Sequence, residues 1–324
     1  MRLFIGLVSL GITISVKMVV DSETFFACWS FILHAKVPNM HRRQFIQNSL
    51  MAMTALQLKD LTELLPTGYD GVMPAMFVGH GSPMNAIEEN AFSNEWERIG
   101  KQLPLPQAIL CVSAHWMTNG TKVAMTDKPE TIHDFYGFPE EMYRINYPAP
   151  GSPAWALTVK DTVQTVSVQE DHDWGLDHGS WSVLKKMFPE ANVPVFQLSL
   201  DAKASPEQHY ALARELSGLR ERGLLIVGSG NIVHNLRMAQ WNDSAYDWTI
   251  EFDEQVKELI NKGDHQSLVA FRKLGRAADL SIPTTEHYLP MLYALGASLP
   301  GDDLFYFNEK NTMGSVSMRS FVLG

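Results

Sequence analysis

The chain has 324 residues, of which 45% are hydrophobic and 19% charged, a composition typical of globular proteins that excludes disorder and coiled coil. Its formal net charge of -10 opposes binding to a phosphate backbone, and no stripe of Lys or Arg counters it, so nucleic acid is excluded as a partner. Two cysteines, Cys28 and Cys111, form neither a disulfide framework nor a zinc ribbon, and any metal must be bound by histidine and carboxylate.

Residues 1–72 differ from the rest of the chain and are interpreted as a leader or extension. The apolar run Leu3–Val16 is too short for a confident membrane span, but long enough for the apolar core of a signal peptide. Alternatively Met40 is the true start, because Arg42 and Arg43 then precede a weak apolar segment, as in a twin-arginine export signal. The sequence predicts a cytoplasmic protein without a stable membrane span, with export through the twin-arginine signal as the alternative.

Residues 73–324 are predicted to form one α/β domain with a central, mostly parallel or mixed sheet flanked by helices, because apolar runs alternate with segments of helical periodicity. The predicted strands are Pro74–Val78, Ala108–Val112, Thr121–Thr126, Val166–Glu170, Pro194–Leu200, Leu224–Val227, and the antiparallel edge strands Leu304–Phe307 and Ser315–Leu323. The predicted helices are Asn90–Leu103, Ser152–Val163, Trp181–Phe188, Ser205–Gly223, a helix ending at Gly263 with Phe252, Val256, Leu259 and Ile260 on one face, and Met291–Ala297.

Three segments carry more specific signals. Ser205 and Gln208 predict a capping box at the start of one helix, and Gly223 is expected to end that helix. The stretch before Pro283 is typical of a linker. Thr131–Pro150 is long, irregular and rich in aromatic residues, Pro and Gly, which is typical of a lid or pocket wall.

Three apolar strands each deliver a histidine just beyond their carboxyl ends: His80, His115 and His234. In an open α/β sheet that edge binds ligands, so three imidazoles arriving there are expected to meet. Each histidine alone is more simply explained as a structural residue, but the set of three favours a metal site. Imidazole suits Zn, Fe and Cu, and three protein ligands with open positions are typical of a catalytic centre.

The surroundings of the other histidines indicate different roles. His178 is a candidate general acid/base or further ligand, with a helix-capping role as the alternative. His133 and His287 lie in aromatic, Pro-rich segments and either line a pocket for a flat substrate or lie on surface loops. The remaining candidates are interpreted as solvated surface residues: His34, His41, His209 and His265.

The motifs around these residues resemble a known family. They are GHGSPMN at 79–85, SAHW at 113–116, TIHDFYGFP at 131–139, YPAPGSP at 147–153, WGLDHGSW at 174–181, GSGNIVHN at 228–235 and EHYLPMLYALGA at 286–297. In this order they resemble the LigB-type class III extradiol ring-cleavage dioxygenases, and most of all the 4,5-DOPA dioxygenase group. The resemblance covers the chain from about Met73 to the C-terminus.

The resemblance implies roles for individual residues. His80, His115 and His234 match the metal-binding histidines of the group, and His178 matches the active-site acid/base that is sometimes counted among the ligands. Protocatechuate-type members have a glutamate as the third ligand, where this chain has His234. An all-histidine set suits zinc better than a set of two histidines and a carboxylate does. The implied cofactor is therefore one divalent metal per chain, either Zn²⁺ or Fe²⁺.

The implied reaction is insertion of O₂, the co-substrate, into the ring of a small DOPA-like catechol to give a ring-opened semialdehyde. His133 and His287 would bond to substrate or oxygen, while Tyr136, Phe138 and Trp181 would pack on the substrate ring. Two alternatives stay open: a zinc hydrolase that uses the same three histidines, and a non-catalytic relative that binds a ligand or peptide.

Overall fold

A computed structural model of the protein describes residues 71–324 and the backbone of residues 4–9 and 12–17. Strands β1 (Phe4–Ser9) and β2 (Ile12–Lys17) pair antiparallel. The alternative start Met40 and the twin-arginine pair lie outside the described residues. None of the helices in the described part of the chain is long and apolar enough to cross a membrane.

Residues 73–324 are built on a six-stranded mixed sheet, as the sequence predicts. Its strands, in chain order, are β3 (Ala75–Gly79), β4 (Ala108–Ser113), β8 (Val195–Gln197), β10 (Leu224–Gly230), β11 (Leu304–Phe307) and β14 (Ser320–Leu323). Across the sheet the order is β11-β14-β3-β10-β4-β8. The last four strands in this order run parallel, whereas β14 is antiparallel to both of its neighbours.

Smaller strand pairs extend this framework. They are β5 (Met117–Thr118) with β9 (Leu200–Asp201), β6 (Thr121–Ala124) with β7 (Val168–Asp171), and β12 (Asn311–Thr312) with β13 (Val316–Ser317). The segment 194–200, predicted as one strand, is therefore divided between the main sheet and the β5 pair. The predicted strand 315–323 likewise divides into β13 and β14.

Helices cover both faces of the sheet. They are α1 (Ala91–Gln102), α2 (Pro153–Thr162), α3 (His178–Met187), α4 (Pro206–Leu216), α5 (Asp247–Asn261), α6 (His265–Val269), α7 (Arg276–Ser281) and α8 (Leu289–Gly296). Alternate residues of β3 enter two different cores: Phe77 packs in one with α2, α4, α5 and α8, and Met76 packs in the other with α1 and α3. The domain thus has three layers, with the sheet in the middle.

Local sequence signals explain where several helices begin. Asn90 and Ser93 form a capping box at the start of α1. Ser205 and Gln208 form the predicted capping box of α4, which passes into a 3₁₀ turn and ends at Gly223 with a φ of 92°. Only glycine adopts such a left-handed conformation without strain.

The structure corrects three predicted boundaries. β10 continues through Gly228 to Gly230, because those residues keep their ladder with β3. Helix α3 begins at His178 instead of Trp181, since the carboxylate of Asp177 accepts the N–H of Ser180 and caps the helix. Residues 264–282 are a pair of short helices, α6 and α7, instead of a linker; both are too short for a clear periodic signal.

The register of the central strands positions the site. Gly230 of β10 lies opposite Gly79 of β3, and Ser229 lies opposite Ser113 of β4. The carboxyl ends of the three strands are therefore level. The residues that follow them emerge at one edge of the sheet, where ligands bind in this class of fold.

Candidate active site

Five histidines lie in continuous ring contact at this sheet edge: His80, His115, His178, His234 and His287. The Nε2 atoms of His80 and His115 face each other at 3.3 Å. Ring centroids are 5.1 Å apart for His80 and His115, 5.3 Å for His80 and His287, and 5.1 Å for His115 and His287. Three imidazoles from three separate segments thus form a nearly equilateral triangle.

Two separate donor groups include the members of this triangle. In one, ring nitrogens of His80, His115 and His178 all lie within 4.8 Å of one another, which fits a metal site. In the other, His234, Glu286 and His287 satisfy the same criterion. The rings of His115 and His178 are 3.8 Å apart, so His178 adjoins the triangle directly.

His80 is oriented by a serine on the neighbouring strand. The hydroxyl of Ser229 donates to the carbonyl oxygen of Gly179 at 2.5 Å, and its oxygen lies 3.0 Å from Nδ1 of His80. Because the hydroxyl proton is already used, Ser229 accepts the Nδ1–H of His80. The proton on Nδ1 leaves Nε2 with a lone pair directed at the centre of the site, the arrangement that metal-binding histidines require.

Asp134 connects two of the other imidazoles. Its Oδ1 accepts the backbone N–H of His178 at 2.8 Å. Its Oδ2 lies 3.0 Å from Nδ1 of His178 and 3.3 Å from Nδ1 of His115. The contact with His178 is close enough for an ion pair but poorly aligned for a hydrogen bond, since no aligned hydrogen-bond partner faces that buried Nδ1.

A second carboxylate, Asp177, is fully buried behind the histidines. Its Oδ1 accepts the hydroxyl of Ser113 at 2.7 Å, and its Oδ2 accepts the side-chain amide of Gln197 at 2.7 Å. Burial and then the charge of Asp134 raise the pKa of Asp177 to about 6. The backbone N–H of His115 in turn donates to Ser113, so this network fixes the start of the segment that carries His115.

Four of the five histidines have lowered pKa values and are neutral at physiological pH: His80, His115, His234 and His287. Burial, followed by the neighbouring imidazoles, lowers the pKa of His80 and His287 well below 6.5. Burial and then His178 lower the pKa of His115 to about 3, and burial lowers that of His234 to about 4. Neutral imidazole is the form that binds metal, and Nε2 of His287 is buried without any hydrogen-bond partner. The donor set and this unpartnered nitrogen both fit a divalent metal.

Three of the predicted pocket residues, His133, Trp181 and Tyr136, differ in their exposure and contacts. His133 donates from Nε2 to the carbonyl oxygen of Ile145 at 3.0 Å and contacts the edge of Trp181. Trp181 is fully buried and donates to Ile132, so its ring packs in the core behind the pocket. Tyr136 is 92% exposed and contributes no wall in this structure, because it points to solvent.

Aromatic contact with the histidines comes instead from Phe135. Its ring centroid lies 5.6 Å from that of His178 and 5.1 Å from that of the predicted Phe138. No role was predicted from the sequence for Phe135, Asp134, Ser229 or Glu286. Asp134 directly follows the candidate His133, and Ser229 is the polar residue between two strand glycines, so both had weak local signals.

One predicted surface histidine is buried. His209 lies in α4 with Nδ1 3.0 Å from the hydroxyl of Tyr293 and Nε2 3.2 Å from the carbonyl oxygen of Asp201. The interpretation of His209 as solvated is therefore wrong, because the helix face that carries it packs against α8. His34 and His41 lie outside the described residues.

Comparison with known proteins gives a consistent result. The family model described as the catalytic LigB subunit of aromatic ring-opening dioxygenase matches residues 73–317. A 4,5-DOPA dioxygenase extradiol from Escherichia coli (strain K12) is 44% identical, over 78% of this chain and 95% of the relative. One from Beta vulgaris is 35% identical, over 71% of this chain and 88% of the relative.

A solved structure agrees with these relatives. The crystal structure of an uncharacterized protein from Escherichia coli K12 superposes with a TM-score of 0.68 at 42% sequence identity. The match covers 78% of this chain and 100% of that one.

Proposed function

The chain belongs to the LigB family of aromatic ring-opening dioxygenases, and on this premise we propose that it is a metal-dependent extradiol dioxygenase that opens a DOPA-like catechol. The observation that carries the proposal is the group of five contacting histidines at the carboxyl edge of the sheet, four of which have pKa values below the usual range. The product would be a ring-opened semialdehyde that contains both atoms of O₂.

His80 and His115 would supply two of the metal ligands, because their Nε2 atoms already face each other. The resemblance assigns the third position to His234, whereas the ring triangle and the unpartnered Nε2 favour His287. A divalent metal bound there, Fe²⁺ or Zn²⁺, supplies a Lewis acid with open positions, and iron additionally supplies redox activity toward oxygen.

His178 is the proposed acid/base. It is buried beside the ligand His115, and Asp134 is placed to stabilise its protonated form. His178 would accept a proton from a catechol hydroxyl when the substrate binds and return it when the ring opens. Phe135 and Phe138 would form an aromatic wall for the substrate ring and exclude water from that side.

The acidic residues near the site support a substrate that carries an ammonium group. Asp134 lies against two of the imidazoles, and Glu286 lies within 4.8 Å of His234 and His287. A carboxylate at the pocket attracts an ammonium group and repels a second carboxylate. This charge favours amino-acid catechols such as DOPA over catechols whose side chain bears only an acid.

The test is oxygen uptake by protein reconstituted anaerobically with Fe²⁺, measured against a panel of catechols that includes L-DOPA and caffeate. Uptake should match the formation of a yellow ring-opened product and disappear in His115→Ala. His172→Ala is the matched control, because His172 lies away from the site and its side chain is 67% exposed. Iron loading without oxygen uptake by any catechol would contradict the proposal.

A zinc hydrolase is the competing function, because the same neutral imidazoles could hold zinc beside a water molecule. Its signature would be ester or amide hydrolysis by the zinc-loaded protein without consumption of oxygen. A ligand-binding relative without activity would show neither reaction, while still binding a catechol.

A further inference from the structure

We infer that Asp134 is a positioning residue that fixes the ring tautomers of His115 and His178 together, so that one carboxylate sets up both a metal ligand and the proposed acid/base. The inference rests on the proposed function. The inference is tested first by metal binding, which can be measured without turnover of a catechol.

The geometry that carries the inference is a single shared oxygen. Oδ2 of Asp134 lies 3.3 Å from Nδ1 of His115 and 3.0 Å from Nδ1 of His178. The contact with His178 is not an aligned hydrogen bond, but a ring lone pair facing the carboxylate oxygen would be repelled, so the favourable arrangement places a proton on both Nδ1 atoms. Each Nε2 atom then keeps its lone pair, which His115 needs to bind a metal and His178 needs to accept a proton.

The other oxygen prevents the carboxylate from turning away. Oδ1 accepts the backbone N–H of His178, the first residue of α3, at 2.8 Å. The loop that carries Asp134 is also tied to the segment before α3, because Ile132 donates its N–H to Leu176 and Leu176 donates to Glu130. Asp134 is therefore held with one oxygen on the helix and the other on the two rings.

The test compares Asp134→Asn with Asp134→Ala. In Asp134→Asn the amide oxygen keeps the N–H of His178, so the NH₂ group faces both Nδ1 atoms. Both rings must then accept at Nδ1 and carry their proton on Nε2, which is the wrong tautomer for ligation and for base catalysis. In Asp134→Ala the tautomers are free, and water can accept from Nδ1.

The expected order of metal affinity is wild type, then Asp134→Ala, then Asp134→Asn. We expect the affinity for Zn²⁺ or Co²⁺ to weaken about 10-fold in Asp134→Ala and about 100-fold in Asp134→Asn. Calorimetry measures this affinity for both metals, and the absorption bands of Co²⁺ report it independently. With an active catechol, kcat should fall by at least about 100-fold in Asp134→Asn, with a smaller change in KM.

Asp171→Asn is the matched control. Asp171 is also a partly buried carboxylate that accepts backbone N–H groups and contacts a cation, Lys122, but it touches no imidazole of the site. Its variant should retain the metal affinity and the Co²⁺ spectrum of the wild type, and thermal unfolding would verify that all variants are folded.

A purely structural Asp134 predicts the reverse order, because asparagine fills the same space and keeps the bond to His178. Metal binding in Asp134→Asn equal to or tighter than in Asp134→Ala would therefore overturn the inference. If the wild type binds metal but opens no catechol, the proposed function fails, while the order of metal affinities still decides the role of Asp134.

Discussion

The imidazoles of His234 and His287 stack with their centroids 3.4 Å apart and their planes 12° from parallel. Of these two, His287 also contacts the rings of both His80 and His115, at 5.3 and 5.1 Å. The Nδ1 of His287 lies 3.2 Å from Oε1 of Glu286, a pairing that leaves Nε2 as the donor available to a metal. On this geometry we propose that His287 is the third ligand and that His234 lies beside it.

This relationship predicts different results for two single substitutions. His287→Ala should weaken Zn²⁺ or Fe²⁺ binding by about 100-fold or more, whereas His234→Ala should retain a full equivalent of metal and lose turnover. Metal content after dialysis, measured by elemental analysis, separates the two. Loss of metal in His234→Ala with retention in His287→Ala would instead support the ligand set that the resemblance implies.

The depressed histidine pKa values predict how stability depends on pH in the metal-free protein. His115 and His234 have pKa values of about 3 and about 4, but titrate near 6.5 in the unfolded chain. Between pH 6.5 and about 4 the unfolded chain binds more protons, so the free energy of unfolding falls as the pH falls. Each histidine contributes a slope of up to ~1.4 kcal/mol per pH unit, and the slope fades above pH 6.5 as the unfolded chain also loses its protons.

Urea unfolding of chelator-treated protein at a series of pH values would measure this slope. His115→Gln should flatten it, because glutamine does not titrate, and His172→Gln should leave it unchanged. An equal slope in wild type and His115→Gln would show that His115 does not remain neutral in the folded protein.

The sequence was sufficient to place the histidines that follow strands. Val78, Val112 and Val227 each lie in a short apolar run, and parallel strands buried on both faces are the usual reason for such runs. Since parallel strands share the direction of their carboxyl ends, His80 and His115 could be expected to meet. The level register of the strands, Gly230 opposite Gly79, then determines how closely they approach.

The contacts made by Asp134 and His287 could not be derived in this way. Asp134 reaches His178 across 44 residues from an irregular loop, and no periodic pattern fixes where such a loop folds back. His287 arrives from the turn before α8, and its position depends on the packing of that helix against β10. Likewise, Tyr136 and Phe135 are adjacent aromatic residues, and only the tertiary structure shows that Phe135 faces the histidines.

A buried ion pair outside the site predicts a large effect on stability. Arg220 is fully buried and forms two bonds with the carboxylate of Asp302, at 2.6 and 2.8 Å. It also donates to the carbonyl oxygens of Met73, Ala297 and Leu323. Asp302→Ala would leave a buried guanidinium charge uncompensated, so the free energy of unfolding should fall by about 3–5 kcal/mol.

An exposed pair provides the comparison for that measurement. Glu95 and Arg98 form an ion pair on the surface of α1, and Glu95→Ala should cost less than about 1 kcal/mol because water screens the charges. Urea unfolding of both variants against the wild type is the measurement. Similar small losses in the two variants would show that Asp302 does not compensate the buried charge.

The last prediction concerns the space between β10 and the segment that carries His287. A Cβ atom on Gly230 would lie 2.1 Å from the carbonyl oxygen of His287, and that oxygen already accepts the N–H of Asn231 at 2.9 Å. The nearest atoms belong to the backbone of His287 and the ring of Pro290, so no flexible side chain can yield. Gly230→Ala should therefore displace His287, reduce stability and weaken metal binding.

Gly218→Ala is the control, because a Cβ at Gly218 meets no atom within 4 Å. That variant should keep the metal affinity and lose no stability, since alanine also reduces the freedom of the unfolded chain, by up to about 1 kcal/mol. Calorimetry compares the Zn²⁺ affinity of the two variants, and thermal unfolding compares their stability. Wild-type metal affinity in Gly230→Ala would mean that the position of His287 is not needed for binding, and His234 would then become the better candidate for the third ligand.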